Sequence, residues 1–109
     1  MTIRKLREAV EAGDWLTVIT VANAVFPCAD AGVDSRNKCF WVQDAYRGSH
    51  DAAQRLHDTL LPGWWAMLRH STRPSVTIGY VDAVQEAQDE SLSRAWLLAI
   101  LRAMEGRDG

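Results

Sequence analysis

The stretch that decides the fold is Ser91-Leu-Ser-Arg-Ala-Trp-Leu-Leu-Ala-Ile-Leu-Arg-Ala-Met-Glu105. Its apolar residues recur at helical spacing on one side and continue around the cylinder: Leu92, Ala95, Trp96, Leu97, Leu98, Ala99, Leu101, Ala103 and Met104. A helix that is apolar around most of its circumference must be covered on more than one face. We therefore predict that the other elements pack on this helix. It is not a membrane span, because its unbroken apolar run from Ala95 to Leu101 is far shorter than the ~20 residues that a bilayer requires.

The composition indicates one ordinary globular domain covering residues 1–109. Hydrophobic residues make up 48% of the chain and charged residues 24%, so a core can form without disulfide or metal staples. The net charge of −2 provides neither the basic excess of a nucleic-acid-binding protein nor the strong acidity of a DNA mimic. We expect no direct nucleic-acid binding, no membrane association and no cofactor.

The two cysteines, Cys28 and Cys39, are too few for a disulfide scaffold. The start of the chain lacks the basic region followed by an apolar region that marks a signal peptide. Both features favour a cytoplasmic protein whose thiols are reduced.

Two short helices are predicted first. One is amphipathic and ends at Gly13. The other begins at the N-cap Asp14 and runs from Trp15 to Phe26, where Pro27 stops it. Its many β-branched residues make a strand a fair rival. A single apolar stripe favours the helix: Trp15, Val18, Ile19, Ala22, Val25 and Phe26.

Two further helices are predicted after a loop of small residues from Cys28 to Asp34. Ser35 caps the first of them, which runs to about Arg47, and Gly48 ends it. Ser49 caps the second, which ends at Leu60 before a Pro-Gly break.

The spacing of apolar residues then changes from the helical period to the alternation that is typical of β-strands. Trp64–Arg69 and Ser75–Val81 are predicted to pair as antiparallel strands, with Ala83–Gln88 as a third, short strand. In the second strand, Val76, Ile78 and Tyr80 form the apolar face. The fold class is therefore α+β: a helix–sheet–helix sandwich with a small antiparallel sheet of two or three strands, packed by about five helices.

The histidines and cysteines are the candidates for metal ligands or catalytic residues. His50 and His57 lie two helical turns apart, about 10.5 Å, which is too far for one metal ion. The cysteines lack the close spacing of a zinc site. Gly48-Ser-His-Asp51 resembles hydrolase chemistry, but consecutive residues point in different directions, and an N-cap explains Ser49 better. We expect surface histidines, no metal ligands and no catalytic residues.

Tryptophans are candidates for a partner surface, since the chain has five of them. Trp64 and Trp65 are neighbours on a predicted strand, so they face opposite ways. Helices on one side of the sheet would leave one of them near solvent, where Trp is a favoured interface anchor. Covering of both faces is an equally good interpretation.

Acidic residues are the second candidate. Between Pro74 and Ser93 the chain has no Lys, Arg or His, and its acids are Asp82, Glu86, Asp89 and Glu90. They either favour a helix N-terminus and solvent, or form an acidic contact edge for a basic partner.

Three segments together resemble a known family: Ala45-Tyr-Arg-Gly-Ser-His-Asp-Ala-Ala53, Leu60-Leu-Pro-Gly-Trp-Trp65 and Ser93-Arg-Ala-Trp-Leu-Leu-Ala-Ile-Leu-Arg-Ala103. They are similar to the small phage and prophage proteins of the phage ABA sandwich domain family, over roughly residues 35–105. The resemblance implies a helix–sheet–helix sandwich and a phage or prophage origin, hence the cytoplasm of a bacterial host cell. It implies no enzymatic activity and no site residues.

Two classes of function follow. The first is a phage- or prophage-encoded binding protein without catalytic activity, which contacts a host or phage protein; inhibitors of bacterial defence, such as anti-CRISPR proteins, belong to this class. The alternative is a small accessory enzyme or metal-binding domain that uses Cys39 and the histidines. The sequence leaves the partner and a homodimer open.

Overall fold

The fold combines helices with an antiparallel sheet in a computed structural model that describes residues 2–26, 33–81 and 83–108, with side chains for 2–26, 38–81 and 83–105. Within these ranges lie five helices and three strands: α1 (Ile3–Ala12), α2 (Trp15–Val25), α3 (Val33–Tyr46), α4 (His50–Leu60), β1 (Trp65–Arg69), β2 (Ser75–Tyr80), β3 (Ala83–Gln88) and α5 (Leu92–Asp108). The predicted α+β class, with helices before and after a small antiparallel sheet, is confirmed. None of the helices in these ranges is long and apolar enough to span a membrane.

Side-chain caps begin the helices where the sequence predicts them. The Asp14 carboxylate accepts hydrogen bonds from the amide and hydroxyl of Thr17, at 3.3 and 2.6 Å. The hydroxyl bond above all, with the amide bond second, holds the pKa of Asp14 below its usual range. Ser49 Oγ accepts from the amide of Ala52 at 3.2 Å. These bonds satisfy amides that have no partner inside the helix.

The start of α3 differs from the prediction. The helix begins at Val33, so Val33 and Asp34 are helical and not part of a loop. The prediction that Ser35 caps this helix is therefore wrong, because Ser35 is the third helical residue and not the residue before the first turn. Pro27 and Cys28 lie outside the described residues.

A tight turn leads from α4 into the sheet. The amide of Trp64 donates to the carbonyl of Leu61 at 3.1 Å, around Pro62 and Gly63. Gly63 has a φ of 86°, which glycine adopts without steric cost and other residues rarely do. The turn therefore includes Trp64, and β1 begins at Trp65, one residue later than predicted.

The sheet has the order β1-β2-β3 with both pairs antiparallel, so the predicted third strand is confirmed. Its inner face is mainly apolar, with Leu68, Val76 and Ala87 in one cross-strand row and Ala66, Ile78 and Gln85 in the next. β2 ends at Tyr80, and the predicted last residue Val81 is a turn residue with a left-handed φ of 51°.

Helix α5 is the middle layer of the molecule. The sheet packs on one side of α5, and α1, α3 and α4 pack on the other. Leu97, Ile100 and Leu101 are at most 1% exposed. Burial of each such side chain stabilises the fold by roughly 1.5–3 kcal/mol. The prediction that this helix is covered on more than one face is confirmed.

Ion pairs connect α1 to α5. Arg7 of α1 donates to both carboxylate oxygens of Glu105, at 2.6 and 3.2 Å, and also pairs with Glu11. Arg102 of α5 reaches Glu11 at 3.3 Å. The hydrogen bonds from Arg7 hold the pKa of the Glu105 carboxyl below its usual range.

Candidate partner-binding face

The three strands present a second side that faces away from α5. We call it the outer face, and it consists of alternate residues of the sheet: Trp65, Met67, Arg69, Ser75, Thr77, Gly79, Val84, Glu86 and Gln88. Of the described helices, α5 packs on the sheet, and its side chains contact inner-face residues in the core. The other described helices pack on α5 or on one another. The outer face therefore has no helical cover among the described residues.

Large apolar side chains lie exposed on the outer face. Trp65 is 46% exposed, Met67 50% and Val84 54%. Trp65 and Val84 are in one cross-strand row, on either side of Gly79, and Met67 is in the next row. Side chains this close on one face form a continuous apolar patch across the sheet. Such patches mark interaction sites more often than scattered single residues do.

The indole of Trp65 lies over the neighbouring strand. A Cβ atom added to Gly79 would come within 2.6 Å of Cε2 of this ring, which real Cβ atoms do not approach. Gly79 is buried, although no described helix covers its side of the sheet. The ring therefore lies against the backbone of β2, and its free side is the part that faces away from this strand, since Trp65 is 46% exposed.

Trp64, the other candidate, is directed to the core side. It is half-buried against the core, and its ring stacks on Tyr80 with centroids 6.0 Å apart. Tyr80 was predicted on the apolar face of β2 and is nevertheless 50% exposed, because it lies at the end of that face, past the fully buried Val76 and Ile78. Of the two tryptophans, Trp65 is the one on the open face.

A buried histidine holds Trp64 in place. Nδ1 of His57 accepts a hydrogen bond from the indole N–H of Trp96 at 3.2 Å, so the ring proton of neutral His57 is on Nε2. Nε2 donates it to the carbonyl of Trp64 at 2.7 Å. The expectation of a surface histidine is wrong here, because His57 is 4% exposed. Its role in the structure is to join α4, α5 and the start of β1.

The predicted acidic residues fall into different positions. Glu86 is exposed on the outer face, in one row with Met67 and Thr77. The Asp89 carboxylate accepts from the amide of Ser91 at 3.1 Å and lies 3.8 Å from Arg94, at the start of α5.

The structure does not place the remaining two acids, Glu90 and Asp82, on the outer face. Glu90 is exposed beside the start of α5, and Asp82 lies outside the described residues. Of the predicted acids, the structure therefore brings Glu86 together with Trp65 on one face, and places Asp89 where it stabilises a helix N-terminus.

Neighbouring residues of the outer face were missed at the level of sequence. Met67, Arg69 and Val84 belong to it, and the alternation Val84, Glu86, Gln88 was the signal that could have found the β3 part. A strand of mixed polarity gives no sign of which face is covered until its register is known.

Two residues of the enzymatic alternative, Cys39 and His57, are already engaged in hydrogen bonds inside the protein. Cys39 is fully buried; its thiol donates to Asn23 Oδ1 at 3.1 Å and accepts from Gln43 Nε2 at 3.3 Å. His57 has both nitrogens bonded, while His50 and His70 are exposed. Within the part of the chain that the structure describes, no three His, Cys, Asp or Glu side chains come close enough to hold a metal ion.

A polar recess of about 370 Å³ opens beside the outer face, and its lining residues are Arg73, Glu86, Ala87, Gln88 and Arg102. Arg102 is already bonded there to the carbonyl of Glu86 at 2.7 Å. Small-molecule pockets are largely apolar and enclose their ligand. The charged, open recess lacks both properties, so the outer face is the better candidate site.

Comparisons with family models, with curated proteins and with solved structures found no match to this chain.

Proposed function

We propose that this protein acts by contact with another protein, without catalysis, and that the outer face is its binding surface. The observation that carries the proposal is the patch of Trp65, Met67 and Val84, each about half exposed on a sheet side without helical cover. Monomeric proteins seldom leave such side chains together in water, because their burial in a partner is favourable.

Trp65 has the properties of an interface anchor. Its ring is held against Gly79, so little conformational entropy is lost when a partner covers the free side. Tryptophan is also the residue type most enriched among those that dominate binding energy. Glu86 lies one row away and adds a negative charge at the rim of the patch, which favours a partner with a basic residue there.

The test is binding by folded variants. The protein is immobilised, a partner is captured from a bacterial lysate, and the dissociation constant is measured for the parent and for Trp65→Ala. We expect a loss of at least about thirtyfold, since truncation of an interface Trp costs about 2 kcal/mol or more. Circular dichroism must show that the variant keeps its helices.

Leu16→Ala is the matched control. Leu16 is 75% exposed on α2, which packs mainly on α1 and α3 and not on the sheet. Its truncation removes exposed apolar surface and should leave the affinity unchanged. Equal affinities for the parent and Trp65→Ala would show that the outer face is not the binding surface.

Glu86→Lys tests the charge at the rim. We expect slower association at low salt and little change at high salt, because exposed charges are screened beyond about 10 Å at 0.1 M ionic strength. An unchanged association rate at both salt concentrations would remove Glu86 from the contact.

The resemblance to the phage ABA sandwich family supports a host or phage protein as the partner, met in the cytoplasm of a bacterial cell. Inhibition of a bacterial defence system, as anti-CRISPR proteins do, is one role that a small binding protein of this origin can fill. Neighbouring genes for virion assembly would argue against a role in defence inhibition, and neighbouring genes for defence inhibitors would support that role.

A further inference from the structure

The two edges of the sheet differ in how their backbone groups are covered. The amide of Asp89 donates to the carbonyl of Pro74 at 3.1 Å, next to the paired ends of β2 and β3. Bonded and non-bonded pairs alternate along an antiparallel ladder, so Ala87 and Gln85 bond to β2 while Glu86 points its backbone away from it. The carbonyl of Glu86 accepts from Nη1 of Arg102 at 2.7 Å. A side chain of α5 therefore occupies one outward carbonyl in the middle of the β3 edge.

The β1 edge lacks such a cover among the described residues. By the same alternation, Trp65, Met67 and Arg69 bond to β2, and the amides and carbonyls of Ala66 and Leu68 face outwards. β1 packs on β2 and on α5, and Ala66 is exposed. Prolines, charges on the inner face and bulges protect edge strands from pairing. β1 has none of these three features.

We propose that β1 pairs with β1 of a second copy of this chain, antiparallel about a twofold axis at Met67. Ala66 of each copy then exchanges backbone hydrogen bonds with Leu68 of the other. The two sheets become one sheet of six strands. This dimer forms from the chain alone, without the foreign partner proposed above, and the two contacts compete for the exposed side of the Trp65 ring.

The side chains of β1 favour a second copy over an unrelated strand. In this register Trp65 of one copy lies opposite Arg69 of the other, on the outer face, and the reverse holds across the axis. Both side chains are exposed in the single chain. A guanidinium over the free side of an indole is a favourable cation–π pair, and the symmetry forms it twice. The strand is thus complementary to itself.

The interface is small, because it consists of two short strands, and we expect a weak dimer. Sedimentation velocity on the purified protein, from about 1 μM to about 1 mM, covers the range of such affinities. We expect the weight-average mass to rise from monomer towards dimer with concentration. A monomer throughout this range would overturn the proposal.

Ala66→Pro tests the pairing itself. Proline removes one outward amide and no bond to β2, so the variant should fold and remain monomeric at every concentration. Gln88→Pro is the matched control, because it removes an outward amide from β3 and should leave the dimer unchanged. Arg69→Glu should weaken the dimer about tenfold, through loss of both ring contacts.

Amide exchange keeps the test decisive if a proline variant unfolds. In the parent, exchange of the Ala66 and Leu68 amides should slow as the concentration rises, while that of Val84 at the β3 edge should not. A dimer that persists in Ala66→Pro but is lost in Trp65→Ala would place the contact on the outer face and overturn the edge pairing. Neither result depends on whether a foreign partner is found.

Discussion

Replacement of His57 by Phe should test the link between α4, α5 and the sheet. The substitution removes the acceptor of the Trp96 indole N–H and the donor to the Trp64 carbonyl. Each polar group that stays buried without a partner costs about 1–3 kcal/mol, so we expect a loss of about 2–6 kcal/mol. That is a large share of the 5–15 kcal/mol by which domains are typically stable.

A double-mutant cycle separates the hydrogen bond from packing. Trp96→Phe loses contacts in the core but also removes the indole N–H, so adding it to His57→Phe removes one of the two unpaired groups. We expect the double variant to be more stable than the sum of the single losses predicts, by about 1–2 kcal/mol. The measurement is urea unfolding followed by circular dichroism.

The control and the refutation come from the same assay. Trp15 lies on α2, which packs mainly on α1 and α3 and not on α4, so Trp15→Phe and His57→Phe should be additive within about 0.5 kcal/mol. A coupling between His57 and Trp96 that is no larger than this control would refute the role of the buried bond.

Three further outcomes are expected from purified variants. Leu98→Asp should abolish cooperative melting, because it puts an unpaired charge at a position that is 2% exposed in the middle layer; a melting temperature within a few degrees of the parent would contradict it. Gly79→Ala should cost about 1–3 kcal/mol and shift the fluorescence of Trp65, whose ring must leave the sheet; the same substitution in a Trp65→Ala background should cost less. Glu105→Gln should lower the free energy of unfolding by less than about 1 kcal/mol at pH 7. Arg7 lowers the pKa of this carboxyl in the folded protein. The difference in the free energy of unfolding between parent and variant is therefore fully present above the ordinary pKa of 4.5, and it disappears as the pH falls through the lower folded-state pKa. Urea unfolding midpoints at about pH 7 and pH 3 can show this loss.

The central helix could be predicted from the sequence because its apolar residues go around the whole cylinder. No arrangement with one covered face could bury Leu97 and Leu101 on one side and Trp96 on another. The caps Asp14 and Ser49 were equally predictable, since a cap depends on residues three positions apart. These features are local, or they follow from the period of a single element.

The position of each Trp could not be predicted in the same way. The alternation of side chains in a strand indicates that Trp64 and Trp65 face opposite sides of the sheet, but it does not indicate which of the two sides is exposed. The choice depends on the turn through Gly63 and on the bond from His57 to the Trp64 carbonyl. Contacts such as His57 with Trp96, or Arg7 with Glu105, join distant parts of the chain and leave no local pattern.

The order of the layers has a consequence for synthesis. α5 follows every other described element in the chain, yet it lies between the sheet and the helices α1, α3 and α4. During synthesis the apolar sides of the sheet and of these helices are therefore made before α5, the described helix that packs on both. Val76 and Ile78 stay exposed to chaperones and to neighbouring nascent chains during that interval. We therefore expect stable packing of the sheet to wait for α5, so that slower release of α5 from the exit tunnel would lengthen the time in which the unfinished chain can aggregate.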